Sequence, residues 1–482
     1  MIHFLFFALL FSVSLFSEDK ITSHLIQLEK GPLAYKATVG TLSARDKEGN
    51  VKGEIGYTAY IMEGSPSNRP ITFAFNGGPG SSSVWLHLGG LGPRRIVNPD
   101  EGQNATPPYR ITDNLETLLD LTDLVFIDPI GSGFSKANSF DDAKPFYDVV
   151  GDIHAVGDFI HDFITVNKRW NSPKFLAGES YGTARAAGLA EYLQNEHSMY
   201  LNGVVMISCA IDFQTFFFAR STDNQLPFFL SLPTYTATAW HHGRYRPDAT
   251  IKEVVDDAFS FVYETYVPLL FRNASMNKVE KETLYDRVAE LSGLRYETVR
   301  RHKGKIHERL FLNEFFGDEN KVLGCYDTRL TAEVPNPSYV DFFQDPSVSS
   351  IGGIMGGVLH EYLQNELDCS SSSQYTLLSF EAYENWNFFS RTPWGYPNLM
   401  DALRSAMIVN PKMQVFVASG YFDCVTPFAA AEYCFDHLDL PDAYKANVKM
   451  EYYEGGHMFY LSHSARKKFK QDMIQFYQQS QL

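Results

Sequence analysis

Five residues, Gly178-Glu179-Ser180-Tyr181-Gly182, constrain this chain more than any others. The apolar run Lys174-Phe175-Leu176-Ala177 before them reads as a strand, and Thr183 to Gln194 after them reads as a helix. A strand that must become a helix within a Gly-x-Ser-x-Gly pentapeptide has to turn through a sharp elbow. Flanking glycines allow that turn without a Cβ clash. The serine hydroxyl is left standing at the sheet edge, close to the N–H groups of the helix start. The same pentapeptide could also be a plain Gly-Ser turn, so its meaning depends on what the rest of the chain places beside it.

Strand and helix signals alternate on both sides of the elbow. Gly53 to Ile61 reads as an edge strand, and Ile71-Thr72-Phe73-Ala74-Phe75 and Leu124-Val125-Phe126-Ile127 read as buried ones. Asn76-Gly77-Gly78-Pro79-Gly80-Ser81 stops the second run, and Asp128-Pro129 stops the third. Asp148 to Val166 has helical spacing, with Ile153, Val156, Ile160 and Phe163 on one face. Leu201 to Ser208, Met413 to Ala418 and Val448 to Tyr453 read as further strands, and His463 to Tyr477 as a terminal helix. The alternation predicts an α/β fold with a mostly parallel central sheet flanked by helices on both faces.

The alternation stops after Ile211. Residues 212–399 are mostly helix-like, with Glu253 to Leu270 amphipathic and a turn at Ser292-Gly293. Gly352-Gly353 with Gly356-Gly357, and Ser370 to Ser373, read as loops. The expected organisation is therefore a core of residues 18–211 and 400–482, interrupted by a mainly helical cap insertion, 212–399, over one edge of the sheet. Ile2 to Phe16 are nearly all apolar, too short for a comfortable membrane span, and residues 1–17 predict a cleaved signal peptide with a secreted or periplasmic destination, a retained N-terminal anchor being the alternative. No later stretch is long and charge-free enough to predict membrane insertion after the leader is removed. The net charge of −16 argues against nucleic acid as a partner. Five cysteines leave at least one thiol unpaired. Cys325 with Cys369 and Cys424 with Cys434 are plausible bridges, and free buried thiols are the alternative for all five.

A serine hydroxyl is a weak nucleophile. It needs a neutral imidazole to take its proton and a carboxylate to orient that imidazole. Gly420-Tyr421-Phe422-Asp423 follows one late strand, and Gly455-Gly456-His457-Met458 follows the next. Both loops would lie past the carboxyl ends of parallel strands, the edge where such sheets place their sites. Ser180, Asp423 and His457 are thus the candidate catalytic set, in the chain order Ser, Asp, His of an α/β-hydrolase. The candidate oxyanion donors are the backbone N–H of Tyr181 and that of Gly78, in a turn whose glycines let the main chain approach a ligand closely. There is no His-Glu-x-x-His, no Cys-x-x-Cys and no phosphate-binding loop, so neither a metal nor another cofactor is expected. The adjacent His241 and His242 would point different ways and do not make a metal site.

Asn76-Gly77-Gly78-Pro79-Gly80-Ser81-Ser82, the Glu179-Ser180-Tyr181 elbow, and the late Asp423 and His457 together resemble the serine carboxypeptidase family. Gly92-Pro93, Ile127-Asp128-Pro129, Gly131-Ser132-Gly133-Phe134-Ser135 and Thr426-Pro427 fit the same pattern. The match covers about Thr72 to Ala210 and Met413 onward, and the Phe-Asn-Gly-Gly-Pro-Gly-Ser-Ser-Ser version looks more like bacterial members. The resemblance implies a metal-free α/β-hydrolase that removes single residues from peptide or protein C-termini. It also implies that Asn76 and Glu179 bind the terminal carboxylate. A protonated Glu179 could donate to a carboxylate and an ionised one would repel it, so substrate affinity is expected to fall as pH rises above neutrality. Three positions depart from the family pattern: Ala74 where eukaryotic members carry Trp, Ser81 where they often carry Cys, and Gly90 where some carry a second Glu. The same catalytic set could serve an esterase or acyltransferase, and a third alternative is a non-catalytic binding protein on a hydrolase scaffold. The preferred C-terminal residue and the oligomeric state are not legible in the sequence.

Overall fold

Fully buried runs of β-branched and aromatic residues build the centre of the molecule. The computed structural model describes residues 19–98, 106–217, 224–370, 374–390 and 395–481. The expected leader, residues 1–17, lies outside the described residues. We number the main strands of the central sheet β1 (Lys20–Leu28), β2 (Gly31–Arg45), β3 (Val51–Met62), β4 (Ile71–Phe75), β5 (Asp123–Ile127), β6 (Lys174–Glu179), β7 (Gly203–Ile207), β8 (Gln414–Gly420) and β9 (Val448–Tyr453). Their spatial order is β1-β2-β3-β5-β4-β6-β7-β8-β9, and a short strand, Lys136–Ala137, also pairs with β3. From β5 to β9 every pairing is parallel, whereas β1, β2 and β3 form an antiparallel meander that joins β5 antiparallel.

The inner parallel strands β4 to β8 are buried on both faces, as crossover helices require, whereas the outer strand β9 is only partly buried. Alternate residues go to opposite cores. Leu176, Val204, Met206, Val415 and Val417 face one core, with Ile153, Val156, Ile160 and Phe163 of the helix Val149–Val166. Phe175, Ala177, Val205, Ile207 and Phe416 face the other, with Phe469, Met473 and Phe476 of the helix His463–Gln479. Asp148 caps the helix Val149–Val166 by accepting from the Gly151 N–H at 2.6 Å.

Two sequence expectations are corrected. The strand read as an edge, Gly53 to Ile61, is interior, because β2 pairs along one side of it and β5 along the other. The outer positions go to β1 and β9. The sequence signal for the meander is the alternation in β2, where Tyr35, Ala37 and Val39 are buried. The four glycines read as a loop, Gly352, Gly353, Gly356 and Gly357, lie inside the helix Pro346–Asn365. Each glycine costs a helix about 1 kcal/mol relative to alanine. The buried stripe Ile351, Ile354, Met355, Val358, Leu359 and Tyr362 outweighs that cost. The bare surface also admits Tyr109, whose ring would lie 2.5 Å from a Cβ at Gly357.

Residues 212–399 leave the sheet. Helices Leu226–His241, Ile251–Phe261, Lys278–Ser292 and Glu308–Glu314 build a third core around Tyr235, Leu284, Val288 and Phe311. The turn expected at Ser292-Gly293 is present, with Gly293 in the left-handed region at φ 68°. All five cysteines are unbridged, so neither expected pair forms. Cys424 instead donates its backbone N–H to the Cys325 carbonyl at 3.1 Å.

Candidate active site

Four neighbouring parallel strands, β6, β7, β8 and β9, end at the same edge. Ser180 follows β6, Asp423 follows β8 and His457 follows β9. Ser180 has φ 59° and ψ −130°, a conformation that a non-glycine residue holds only when its surroundings impose it. The surroundings are tight. A Cβ at Gly178 would collide with the Gly182 carbonyl, so only glycine lets β6 and the helix Tyr181–His197 pack this closely. Ser180 occupies the cap position of that helix, yet its hydroxyl caps nothing. Thr183 Oγ1 donates to the Ser180 carbonyl at 2.7 Å, and among the described residues Ser180 Oγ has no hydrogen-bond partner.

His457 Nδ1 lies 2.7 Å from Asp423 Oδ2, with His457 3% exposed and Asp423 fully buried. Asp423 Oδ1 accepts from the N–H groups of Val425 (2.9 Å) and Thr426 (3.0 Å), and Oδ2 accepts from Thr426 Oγ1 (2.5 Å). An acceptor held this firmly fixes the imidazole with its proton on Nδ1 and its Nε2 lone pair free. The backbone of His457 is pinned as well. Its N–H donates to the Tyr326 carbonyl at 2.5 Å, and its own carbonyl accepts from Ser208 Oγ at 2.7 Å. Burial alone would lower the affinity of His457 for a proton, but Asp423 and Glu179 overcome that and raise its pKa.

Ser180, His457, Glu179, Asn76 and Gly78 line one cavity of about 520 Å³. Ser180 and His457 line this cavity together, and among the described residues no direct hydrogen bond joins their side chains. The Asn76–Gly80 turn packs against the elbow. A Cβ at Gly77 would lie 2.5 Å from the Tyr181 nitrogen. Gly78 has φ 101°, and its N–H donates to no described protein group. Tyr181, the first residue of its helix, likewise has no intrahelical acceptor for its N–H. The two sequence-expected oxyanion donors are thus brought together at the elbow.

The wall beyond Ser180 is carboxyl chemistry. Glu179 is 3% exposed, and its Oε2 accepts from Tyr460 Oη at 2.6 Å. Asn76 Oδ1 accepts from the Leu86 N–H at 3.0 Å, which leaves the Asn76 amide nitrogen for Glu179. Burial pushes the Glu179 carboxyl up to about 7, against the lowering effects of His457, Tyr460 and Asn76. Tyr460 was not anticipated from sequence. It fills the space beside Gly90, where a Cβ would lie 2.9 Å from its ring. The glycine that departs from the family pattern is therefore the space that admits a different partner for Glu179.

A second group escaped sequence reading. Arg185 is fully buried beneath the elbow. Its Nε donates to Asp152 Oδ2 at 2.7 Å and its Nη1 to the Asn76 carbonyl at 2.7 Å. Tyr181 Oη also donates to Asp152, at 3.1 Å. One guanidinium thus ties the Asn76–Gly80 turn to the helix Tyr181–His197. No motif marks Arg185, because its role depends on a carbonyl 109 residues away.

Much of the remaining lining comes from residues 212–399, including Glu308, Tyr326, Phe342, Ile351 and Phe380. Among the described residues no group of three or more His, Cys, Asp or Glu side chains is arranged to hold a metal ion. Arg300, Arg301, His302 and Lys303 are exposed to solvent.

A family model described as serine carboxypeptidase matches residues 33–246, just under half of the chain. Among curated proteins, the chain is similar to serine carboxypeptidase-like 33 of Arabidopsis thaliana, 26% identical over 202 residues that make up 40% of this chain and 41% of that protein. It is similar to serine carboxypeptidase-like 34 of the same plant, 26% identical over 173 residues, 35% of this chain and 32% of that protein. The matched part is thus 32% to 41% of the length of these relatives. Among solved structures, Kex1ΔP, a prohormone-processing carboxypeptidase from Saccharomyces cerevisiae, superposes with a TM-score of 0.58 over 92% of this chain and 91% of its own, at 15% identity. That likeness establishes the α/β-hydrolase fold.

Proposed function

We propose that the protein is a serine-type carboxypeptidase that releases C-terminal residues from peptides through an acyl-enzyme on Ser180. In this reading Ser180 Oγ attacks the carbonyl carbon of the last peptide bond while His457 Nε2 takes its proton. Asp423 keeps the imidazole oriented and stabilises the imidazolium that forms. The negative oxygen of the tetrahedral intermediate is received by the N–H groups of Gly78 and Tyr181. His457 returns its proton to the departing amine, and water then releases the acyl group by the same steps.

The observation that carries this reading is Glu179. A buried carboxyl next to the nucleophile, with its pKa raised to about 7, is a hydrogen-bond donor to a carboxylate in acid and a repulsive neighbour in alkali. Asn76 supplies a second donor beside it. An esterase or acyltransferase has no use for such a group, and a binding protein has none for the hydroxyl–imidazole–carboxylate set. Peptides with free and amidated C-termini test the choice. Efficient trimming of the free acid only, lost in Ser180→Ala, is expected. Equal cleavage of the amide sinks the carboxypeptidase assignment in favour of another acyl-transfer activity. Failure of Ser180 to react with an active-site phosphonate sinks catalysis altogether.

The same proposal extends to organisation and address. Residues 212–399 act as the cap, and residues 18–211 with 400–482 as the catalytic core. An apolar residue 2–16 segment directs export, to the periplasm or outside the cell, for a bacterial-type member of the family. Among the described residues no helix is long and apolar enough to cross a membrane. The net charge of −16 disfavours nucleic acid and leaves peptide C-termini as the partners.

A further inference from the structure

Carboxylates around the cavity are satisfied by the protein, with one exception. Glu179 takes the Tyr460 hydroxyl, and Asp423 takes His457 and Thr426. Asp345, packed beside Cys325, accepts the Cys325 N–H at 2.8 Å and the Ser347 N–H at 2.8 Å. Glu308, at the start of the helix Glu308–Glu314, is half-buried, lines the same cavity as Ser180 and His457, and forms no side-chain hydrogen bond or ion pair among the described residues.

Among the described residues, the groups that face Glu308 supply no positive charge inside the cavity. Asp423 and Asp345 are acidic, and Cys325, Cys424 and Tyr235 are held neutral by burial. Among the described residues the cation that acts on Glu308 is Arg309, which is exposed and donates to the Val340 carbonyl at 3.3 Å. Burial, with Asp423 and Asp345 adding to it, pushes the Glu308 carboxyl up to about 7. Leaving a carboxylate unpaired in such surroundings is costly, and a ligand that brings a cation removes the cost. Phe342, Ile351 and Phe380 on the cavity wall offer apolar surface for an aliphatic stem.

We propose that Glu308 is a specificity-determining residue that receives the cationic side chain of a lysine or arginine flanking the scissile bond. This rests on the carboxypeptidase reading above. The match is one of shape as well as charge, because lysine and arginine carry an ammonium or guanidinium on a stem that prefers an apolar lining.

Two peptide series test it, one exchanging lysine for norleucine at the C-terminal position and the other at the penultimate position. In one series the wild-type protein is expected to favour lysine in kcat/KM by about tenfold or more, the scale of a charge-assisted hydrogen bond at a partly buried site. Glu308→Gln is expected to remove most of that ratio, Glu308→Asp to retain part of it, and Glu308→Lys to shift preference towards an acidic side chain. A lysine-to-norleucine ratio that Glu308→Gln leaves unmoved in both series overturns the proposal. If no peptide is trimmed at all, the carboxypeptidase reading fails first. Calorimetric binding of the same peptides to Ser180→Ala protein then decides the role of Glu308: about tenfold weaker lysine binding on adding Glu308→Gln supports it, and equal affinity overturns it.

Discussion

Replacing Glu179 by glutamine separates two roles that a carboxyl at this position could play. If the neutral carboxyl donates to the substrate's terminal carboxylate, only the protonated enzyme binds well, and the apparent KM grows as the protonated fraction shrinks. With its pKa near 7, Glu179 is almost wholly neutral at pH 5 and about one-tenth neutral at pH 8. The KM for a free-acid peptide should therefore rise about tenfold between those pH values. Glutamine has nearly the same shape, keeps an N–H donor and never ionises, so Glu179→Gln should show a KM flat across the range. The behaviour of kcat runs the other way. His457 must be neutral to accept the Ser180 proton, and Asp423 raises its pKa, so kcat falls as the solution is acidified. The combined profile of kcat/KM is then a bell whose alkaline limb belongs to Glu179 and whose acid limb belongs to His457. Steady-state hydrolysis of one free-acid peptide from pH 5 to 8.5, at constant ionic strength, reads both limbs. A wild-type KM that stays flat, or a Glu179→Gln variant that keeps the tenfold rise, refutes the reasoning.

Three further outcomes follow from the same geometry. Gly77→Ala places a methyl 2.5 Å from the Tyr181 nitrogen, and because both partners are backbone the oxyanion turn must move; kcat should drop by about a hundredfold with a smaller change in KM, measured by the same assay. Arg185→Met leaves Asp152 buried without its counter-charge and the Asn76 carbonyl without its donor; denaturant unfolding should show a loss of about 3–5 kcal/mol, and Arg185→Lys, which lacks the fork, should not restore it. Glu179→Gln should also stabilise the resting fold increasingly as pH rises, because a carboxyl whose folded pKa lies above its unfolded value is favourable below the unfolded pKa and loses that advantage as pH rises through the folded one; between pH 4.5 and 7 the difference grows to about 3 kcal/mol, read as a widening gap in thermal midpoints.

What could be read from the sequence was whatever depends on local backbone. The elbow needs glycine at 178 and 182 and a serine held at φ 59°, and few other sequences satisfy that turn. The buried strands carry unbroken apolar runs, so the parallel sheet was legible, and Val448–Tyr453 lies where the sequence placed it. Asp423 and His457 could be proposed because the ends of late strands are few and each carries one suitable side chain. The strands before β3 escape a sequence reading because β1 is mostly exposed and small residues such as Ala34 blur the alternation of β2. The helix through Gly352 to Gly357 was hidden because the glycines that weaken its propensity also make room for Tyr109. Tyr460, Arg185 and Glu308 were illegible for a common reason. Each acts by reaching a partner or a cavity that lies far away in the chain, and no spacing records such a meeting.

The two raised carboxyls of the cavity should answer a ligand with opposite proton flows. Binding a terminal carboxylate beside Glu179 favours the protonated form, so above pH 7 the complex must take up a proton that the free protein had released. At pH 8 the uptake approaches about one proton per peptide, and at pH 5 it falls near zero because Glu179 is already neutral. A cation placed against Glu308 favours the ionised form instead, and below pH 7 its binding should expel a proton. Titrating Ser180→Ala protein with norleucine and lysine peptides, in two buffers of different ionisation enthalpy, counts these protons without any turnover. The norleucine peptide should show uptake that grows with pH. The lysine peptide should show the same uptake at pH 8 and an added release at pH 6. A buffer-independent heat for both peptides at both pH values is incompatible with either carboxyl meeting the ligand, whatever the protein hydrolyses, because at one or other of these pH values each carboxyl is largely in the form its ligand disfavours.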